Sequence, residues 1–378
     1  MSKPPLETDR IAGLRSQLLQ WYELNQRDLP WRRTPDPYAI WVSEIMLQQT
    51  RVAVVIERYN AFLQRFPTLI SLADAPEQEV LALWSGLGYY RRARMLHKAA
   101  QFVARELGGN LPANAKDLRL LPGIGPYTAA AIASIAHQEP VAVVDGNVER
   151  VLCRLSGWEA GSRTGGGAKL RNKIETLASA LVDPLRPGDF NQAIMELGAT
   201  VCTPRTPLCL QCPLSVECVT LGEHKTPARP KMMSREVAHA LVVRAGEKPQ
   251  PASRELISQV LLEQRPPSVS VMPGLWELPQ LLDPMVPDTD LRMAVRHAIM
   301  QVNYYVRIRT LREEEVETLT VPGGARLWVP LADAGQMALT GLARKVLSRA
   351  RLLSPGSAEF DSASFDLPTF ASKSASEK

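Results

Sequence analysis

Between two stretches of helical character the chain reads Leu121-Pro-Gly-Ile-Gly-Pro126, and no continuous helix can run through it. Proline removes a backbone donor and glycine frees the dihedrals, so this segment must turn. Asp117–Leu121 supplies a short helix before the turn. Pro126 suits the first position of the next helix, where its missing N–H costs nothing. Gly123 and Gly125 leave backbone N–H groups bare at that helix's positive end, a place where a phosphate can be gripped. The apolar run Val141–Val144 then delivers Asp145 in Asp-Gly-Asn, a turn that can cap a helix. Leu121–Arg150 thus offers a phosphate grip followed by a carboxylate. Read locally, the same pattern is also an ordinary helical hairpin with a capping aspartate.

The rest of the chain divides around this segment. Its 378 residues suffice for two or three domains. Apolar spacing predicts helices over 10–24, 51–66, 78–84, 92–107 and 170–182, and strand-like alternation is nearly absent before residue 235. Gly161–Ala168 reads as an exposed loop, and the proline-rich, basic stretch from Glu223 to about residue 236 as a linker. Val237–Arg244, Gln259–Arg265, Val302–Arg309 and Ala325–Val329 read as strands, with helical patterns at 288–300 and 337–351. The expected organisation is a mostly α domain over 1–222, a linker over 223–236, an α+β domain over 237–352 and a disordered tail over 353–378. A net charge of +5 favours an anionic partner. No apolar run approaches the roughly 18 residues of a membrane helix, and residues 1–10 do not resemble a signal peptide, so a cytoplasmic, nucleoid-associated monomer with no membrane contact is expected.

Cys202, Cys209, Cys212 and Cys218 stand as C-x6-C-x2-C-x5-C. Four thiolates this close can converge on one metal centre. Zinc is the ordinary occupant of four cysteines, usually as two separated C-x2-C knuckles. One C-x2-C with an outlying cysteine on each side is closer to a chain wrapping an iron–sulfur cubane. Cys153, in an apolar helical pattern, reads as a buried small hydrophobe.

LPGIGPYTA, VVDGNVER and this cysteine spacing together resemble the helix-hairpin-helix iron–sulfur DNA glycosylase superfamily. WVSEIMLQQT at 41–50 and GLGYYRRAR at 86–94 narrow the resemblance to adenine DNA glycosylases of the MutY type, over roughly residues 10–221. The resemblance implies base-excision repair of adenine mispaired with 8-oxoguanine or guanine in double-stranded DNA, with a 4Fe–4S cluster that supports DNA binding. It implies that Glu44 protonates adenine and that Asp145 faces the sugar cation. Taken alone Glu44 would be a solvated helix position, but Ile40, Trp41 and Leu47 lie one turn away and would desolvate it. Tyr127 and Asn147 match positions near the sugar, and Tyr127 stands where strand-cutting relatives carry a Schiff-base lysine, so base removal alone is expected. Gln48, Gln49 and Tyr89 match intercalating and cross-strand positions, and Arg91, Arg92 and Arg94 could hold phosphates. Trp31, Arg32 and Gln192 match the base pocket. Gln192 suits adenine, since an amide can bond both N6 and N7. Glu149 replaces a lysine that crosslinks to product in some members.

Residues 237–352 resemble the Nudix-like C-terminal domain of the same family, most clearly at 261–280. The Nudix hydrolase signature is missing, and Arg312–Glu317 is only a charge run, so this domain is expected to bind without hydrolysing. Arg296 and His297 match the family's lesion-sensing loop, where Ile299-Met300-Gln301 replace Phe-Ser-His. Phe365–Phe370 faintly resembles peptides that dock on replication sliding clamps, a short pattern that chance supplies readily.

Overall fold

The computed structural model describes residues 8–159, 167–222, 231–245 and 258–353. The expected loop at 161–168 falls almost wholly outside these residues, as do most of the expected linker and the tail with its clamp-like segment.

The first part is helical, as its spacing predicts. The helices are α1 (Thr8–Asn25), α2 (Pro37–Leu47), α3 (Val52–Arg65), α4 (Leu69–Ala73), α5 (Glu77–Leu83), α6 (Arg91–Glu106), α7 (Ala115–Leu118), α8 (Pro126–His137), α9 (Gly146–Ser156), α10 (Gly167–Leu181) and α11 (Pro187–Thr200). They form two lobes with separate cores. One core gathers α2 to α8 around Trp41, Phe62, Phe66 and Trp84. The other gathers α1, α9, α10 and α11 around Leu18, Leu152, Ile174 and Leu197. Residues of α8 and the segment before α9 sit at the seam, where Ala130, Ala131 and Val143 pack with Tyr127 and Met195.

Two details fix that seam. The alanine-rich helix α8 lets α11 approach until Gly188 meets the Ser134 carbonyl, which a Cβ would reach at 2.7 Å. Buried Asn191 then sews three segments together. Its Oδ1 accepts from Val143 N at 3.0 Å, and its Nδ2 donates to Ser134 Oγ at 2.9 Å and to the Val141 carbonyl at 2.8 Å.

The hairpin helix before the turn runs over Ala115–Leu118, earlier than expected, because Asn114 caps it through the Asp117 N–H and Arg119–Leu121 already belong to the turn. Gly123 is at φ +77° with Met95 Cβ 2.6 Å from where its own Cβ would stand, so glycine is required there. Gly125, at φ −87°, is simply the residue before Pro126.

The second part is a mixed six-stranded sheet, with β1 (Met233–Ala245), β2 (Ser258–Gln264), β3 (Trp276–Glu277), β4 (Leu291–Ile299), β5 (Val302–Leu311) and β6 (Arg326–Pro330). The order is β3-β2-β1-β5-β4, with β6 off this path and paired antiparallel to β2, and among these strands only β1 and β5 run parallel. Helices α12 (Val316–Leu319), α13 (Leu331–Ala334) and α14 (Gly341–Arg349) complete it. β1 begins at Met233, inside the stretch read as linker, because Met233–Val242 zip in register along Val302–Leu311. The helix expected at 288–300 is strand β4. Leu291, Met293, Val295, His297 and Ile299 alternate with more exposed residues, a two-residue period that pairs with β5 and overrides any helical reading.

This sheet part docks on the first lobe. Tyr90 Oη and Ser85 Oγ both donate to the Leu339 carbonyl, at 3.0 and 3.4 Å, and Arg344 Nε donates to Ser85 Oγ at 2.8 Å. Arg94 Nη2 reaches the Pro273 carbonyl at 2.6 Å.

Candidate active site

α2 begins at Pro37 under an Asp36 cap and is buried from Tyr38 to Met46. A carboxylate on such a helix has little water available. Glu44 is 6 % exposed, and burial pushes its pKa up to about 7. The Tyr127 hydroxyl, donating to Glu44 Oε2 at 2.7 Å, pulls the other way, while the charge of Asp145 adds to the rise. Tyr127 itself is held well above its usual range by burial and by the two carboxylates, so it remains a donor.

Asp145 comes from the other lobe, as the cap of α9. Its Oδ1 accepts from the backbone N–H of Asn147 and Val148, at 2.9 and 2.8 Å, and its Oδ2 accepts from Asn147 Nδ2 at 2.9 Å. Three donors at the start of α9 thus fix its orientation. Gly198 of α11 lies against Asn147 so closely that a Cβ would stand 2.7 Å from Asn147 Cβ. Arg150 ties the arrangement down, donating to Asn147 Oδ1 at 2.9 Å and to the carbonyls of Gly198 and Cys202 at 2.6 and 2.8 Å.

One cavity of about 730 Å³ joins these groups. Glu44, Tyr127, Asp145, Asn147, Gln48, Gln49, Trp31, Arg32, Gln192, Gly123 and Gly125 all line it. Tyr89 lines an adjoining cleft that shares Gln48, Gln49 and Gly123. The expected catalytic residues, with Gln48, Gln49, Tyr89, Trp31, Arg32 and Gln192, therefore lie in or beside one concave site. A buried acid and a capped carboxylate on one cavity are the pair that can protonate a leaving group and stabilise a cation.

Arg32 lines the cavity with its guanidinium paired. Its Nη2 donates to Glu196 Oε2 at 2.9 Å, beside Arg27 on the same carboxylate at 2.7 Å. Burial would raise the pKa of Glu196, but these two hydrogen bonds prevail and hold it at about 2. Arg94 is occupied by Glu77 and Pro273, and Arg92 turns inward, so of the three arginines expected on phosphates only Arg91 is left exposed. Sequence reading passed over Glu196 and Arg27. Glu196 lies four residues after Gln192 on α11 and so on the same helical face, which was the available signal.

Cys202, Cys209, Cys212 and Cys218 line one small cavity beside α9, together with Arg154, Val201 and Pro207. Burial first, and then the neighbouring thiols, push Cys212 up to about 11. Buried Arg154 brings Nη1 to 3.4 Å from Cys202 Sγ, and its Nε is buried without a partner. Among the described residues no three such side chains close on a point as ligands of a single ion would. Four thiols on one cavity supply the donor set that a tetra-cysteine centre needs. Cys153 is buried in the second lobe, as expected.

In the second part, Ile299 ends β4 and Met300-Gln301 form the turn to β5, with Met300 at φ +54° and 74 % exposed. No helix among the described residues is long and apolar enough to cross a membrane.

The chain matches the HhH-GPD superfamily model of base excision DNA repair proteins over residues 42–176. It is 52 % identical to the adenine DNA glycosylase of Homo sapiens over 217 residues, which span 55 % of this chain and 39 % of the human protein. Against the adenine DNA glycosylase of Mus musculus it is 38 % identical over 403 aligned positions, covering 89 % of this chain and 77 % of the mouse protein. A thermostable thymine-DNA glycosylase of known structure superposes with a TM-score of 0.50 at 31 % identity, over 56 % of this chain and 97 % of that one. Motifs, site geometry and near full-length similarity agree, and the chain belongs to the adenine DNA glycosylase family of base excision repair proteins.

Proposed function

We propose that this chain removes adenine mispaired with 8-oxoguanine or guanine from double-stranded DNA, leaving an abasic site. The observation that carries the reading is Glu44, a carboxyl group with a pKa of about 7 in the same cavity as capped Asp145. Adenine within a duplex must leave the stack to reach a buried acid, at a cost of a few kcal/mol. Gln48, Gln49 and Tyr89 stand at the cavity rim, where side chains entering the duplex would fill the gap. Gln192 offers an amide to the purine edge, and Trp31 closes the wall.

Chemistry then proceeds on the chain's own groups. Glu44 gives its proton to N7 of the everted base, and the bond from the sugar to N9 breaks with its electron pair on adenine. Asp145 faces the resulting oxocarbenium ion, either as a counter-charge or by bonding to it. Water then adds to the sugar, and its proton returns to carboxylate. Tyr127 orients the acid, and a phenol cannot form a Schiff base, so the sugar–phosphate backbone stays intact. The four cysteines would hold a 4Fe–4S cluster, which supplies a cross-link to the loop and supports DNA binding. The sheet part, without a hydrolase signature, reads the base opposite adenine.

A single-turnover assay on duplexes with adenine opposite 8-oxoguanine, guanine, cytosine or thymine tests the reading. Excision is expected opposite the first two and not the others, without strand breaks before alkali. Equal cleavage of all four rejects mispair specificity, and unchanged excision in Glu44→Gln or Asp145→Asn rejects the mechanism. The purified protein is expected to be brown and to carry iron; a colourless zinc protein rejects the cluster.

A further inference from the structure

Arg92, the second residue of α6, does not face solvent or a carboxylate. Its Nη1 donates to three carbonyls at the end of α2, those of Ile45 at 2.7 Å, Met46 at 3.0 Å and Gln48 at 2.5 Å. Its Nη2 donates to Thr50 Oγ1 and to the carbonyls of Leu87 and Gly88, each at 3.1 Å. The guanidinium carbon also lies 5.5 Å from the ring centre of Trp84 and 5.6 Å from that of Tyr89. Burial pushes its pKa down to about 10, which still leaves it charged at neutral pH.

What it joins is informative. Gln48–Thr50 follows directly from the helix that carries Glu44, and Leu87–Tyr89 is the other bank of the cleft beside the active site. Each bank holds a non-glycine residue in the left-handed region, Gln49 at φ +56° and Tyr89 at φ +48°. Such conformations persist only where the surroundings enforce them. Gln49 and Tyr89 are both exposed, so packing of their own side chains does not enforce them. Thr50 Oγ1 adds a weaker tie, donating towards the carbonyls of Gln48 and Leu87 at 3.3 Å.

We infer that Arg92 is a positioning residue for base excision, a two-armed strut that locks the Gln48–Thr50 and Leu87–Tyr89 banks into one rim, so that both enter the duplex as a unit. It touches no substrate in this role. The planar fork is what matters, since a lysine ammonium cannot serve two sets of acceptors on opposite sides.

The inference rests on the proposed excision for its rate readout but not for its structural one. In the full-length protein, Arg92→Met keeps an unbranched chain and loses every donor, while Arg92→Lys keeps the charge. Under saturating single-turnover conditions on an adenine·8-oxoguanine duplex, Arg92→Met is expected to slow excision about tenfold to a hundredfold. The half-saturating protein concentration is expected to move less than about threefold. Arg92→Lys is expected to recover only part of the rate. Tyr89→Ala slows the wild type but costs little more in the Arg92→Met background, because the strut acts through that bank. Amide exchange in the free protein is expected to rise at 48–50 and 87–89 together, with the rest of α2 and α6 still protected.

Wild-type rates in Arg92→Met, full additivity with Tyr89→Ala, or unchanged exchange at either bank overturns the inference. So does exchange that rises throughout both helices, which marks a general loss of fold. A wild-type protein that does not excise adenine sinks the proposed function and leaves the exchange test standing.

Discussion

Glu44 must hold a proton near neutral pH and release it on demand, and its surroundings set both. With a pKa of about 7, the protonated form falls tenfold per unit above that value, and single-turnover excision is expected to fall with it. The Tyr127 hydroxyl lowers that pKa, so Tyr127→Phe is expected to carry the alkaline limb to higher pH, even if the maximal rate drops. Stability follows the same group with the opposite benefit. Its pKa rises from 4.5 to about 7 on folding, so its contribution is fully present below about pH 4.5 and is lost as pH climbs through 7. Glu44→Gln is therefore expected to stabilise the protein at pH 8, by at most about 3 kcal/mol, as read by chemical denaturation. At this scale the site was largely legible, because Glu44, Asp145 and the cysteines sit in local motifs whose spacing survives in the chain. The Glu196 carboxylate with Arg27 and Arg32 was not. Its partners lie 169 and 164 residues away, and nothing local announces such a pairing.

Among elements, α11 bears more of the site than its sequence suggests. Its glycines are where backbones meet, and Gly198 sets how near Asn147 and the Asp145 cap can come. Gly198→Ala is expected to cost about 1–3 kcal/mol in stability and, more tellingly, to slow excision by misplacing the carboxylate. Thermal unfolding and single-turnover rates on one preparation separate the two effects. Asn191→Leu removes the stitches to Val141, Val143 and Ser134, leaves buried backbone groups unpaired, and is expected to destabilise by about 2 kcal/mol or more. Helices were read well because a 3.6-residue apolar stripe repeats over many residues. Strand β4 was misread because its exposed Arg292 and Arg296 stand four residues apart and so also fit one side of a helix. Pairing with β5 decides the matter, and pairing is not written in β4 alone.

At the scale of the whole molecule, the proton donor belongs to one hydrophobic body and the anion to another. Glu44 rides on the lobe of Trp41 and Phe62, and Asp145 on that of Leu152 and Leu197. The basic excess of the chain is expected to make duplex affinity fall with salt, while the excision rate of saturated complexes barely responds. Temperature acts differently. Small residues along α8 and α11 let the halves nest closely, but methyl groups and glycines hold less tightly than interlocked large side chains. Gentle warming is thus expected to spread the two reacting groups while each half still gives a native circular dichroism signal. Chemical competence would then expire several degrees before the polypeptide melts, with recovery on cooling. A machine whose halves each carry one electrode goes silent when the gap widens, long before either half breaks.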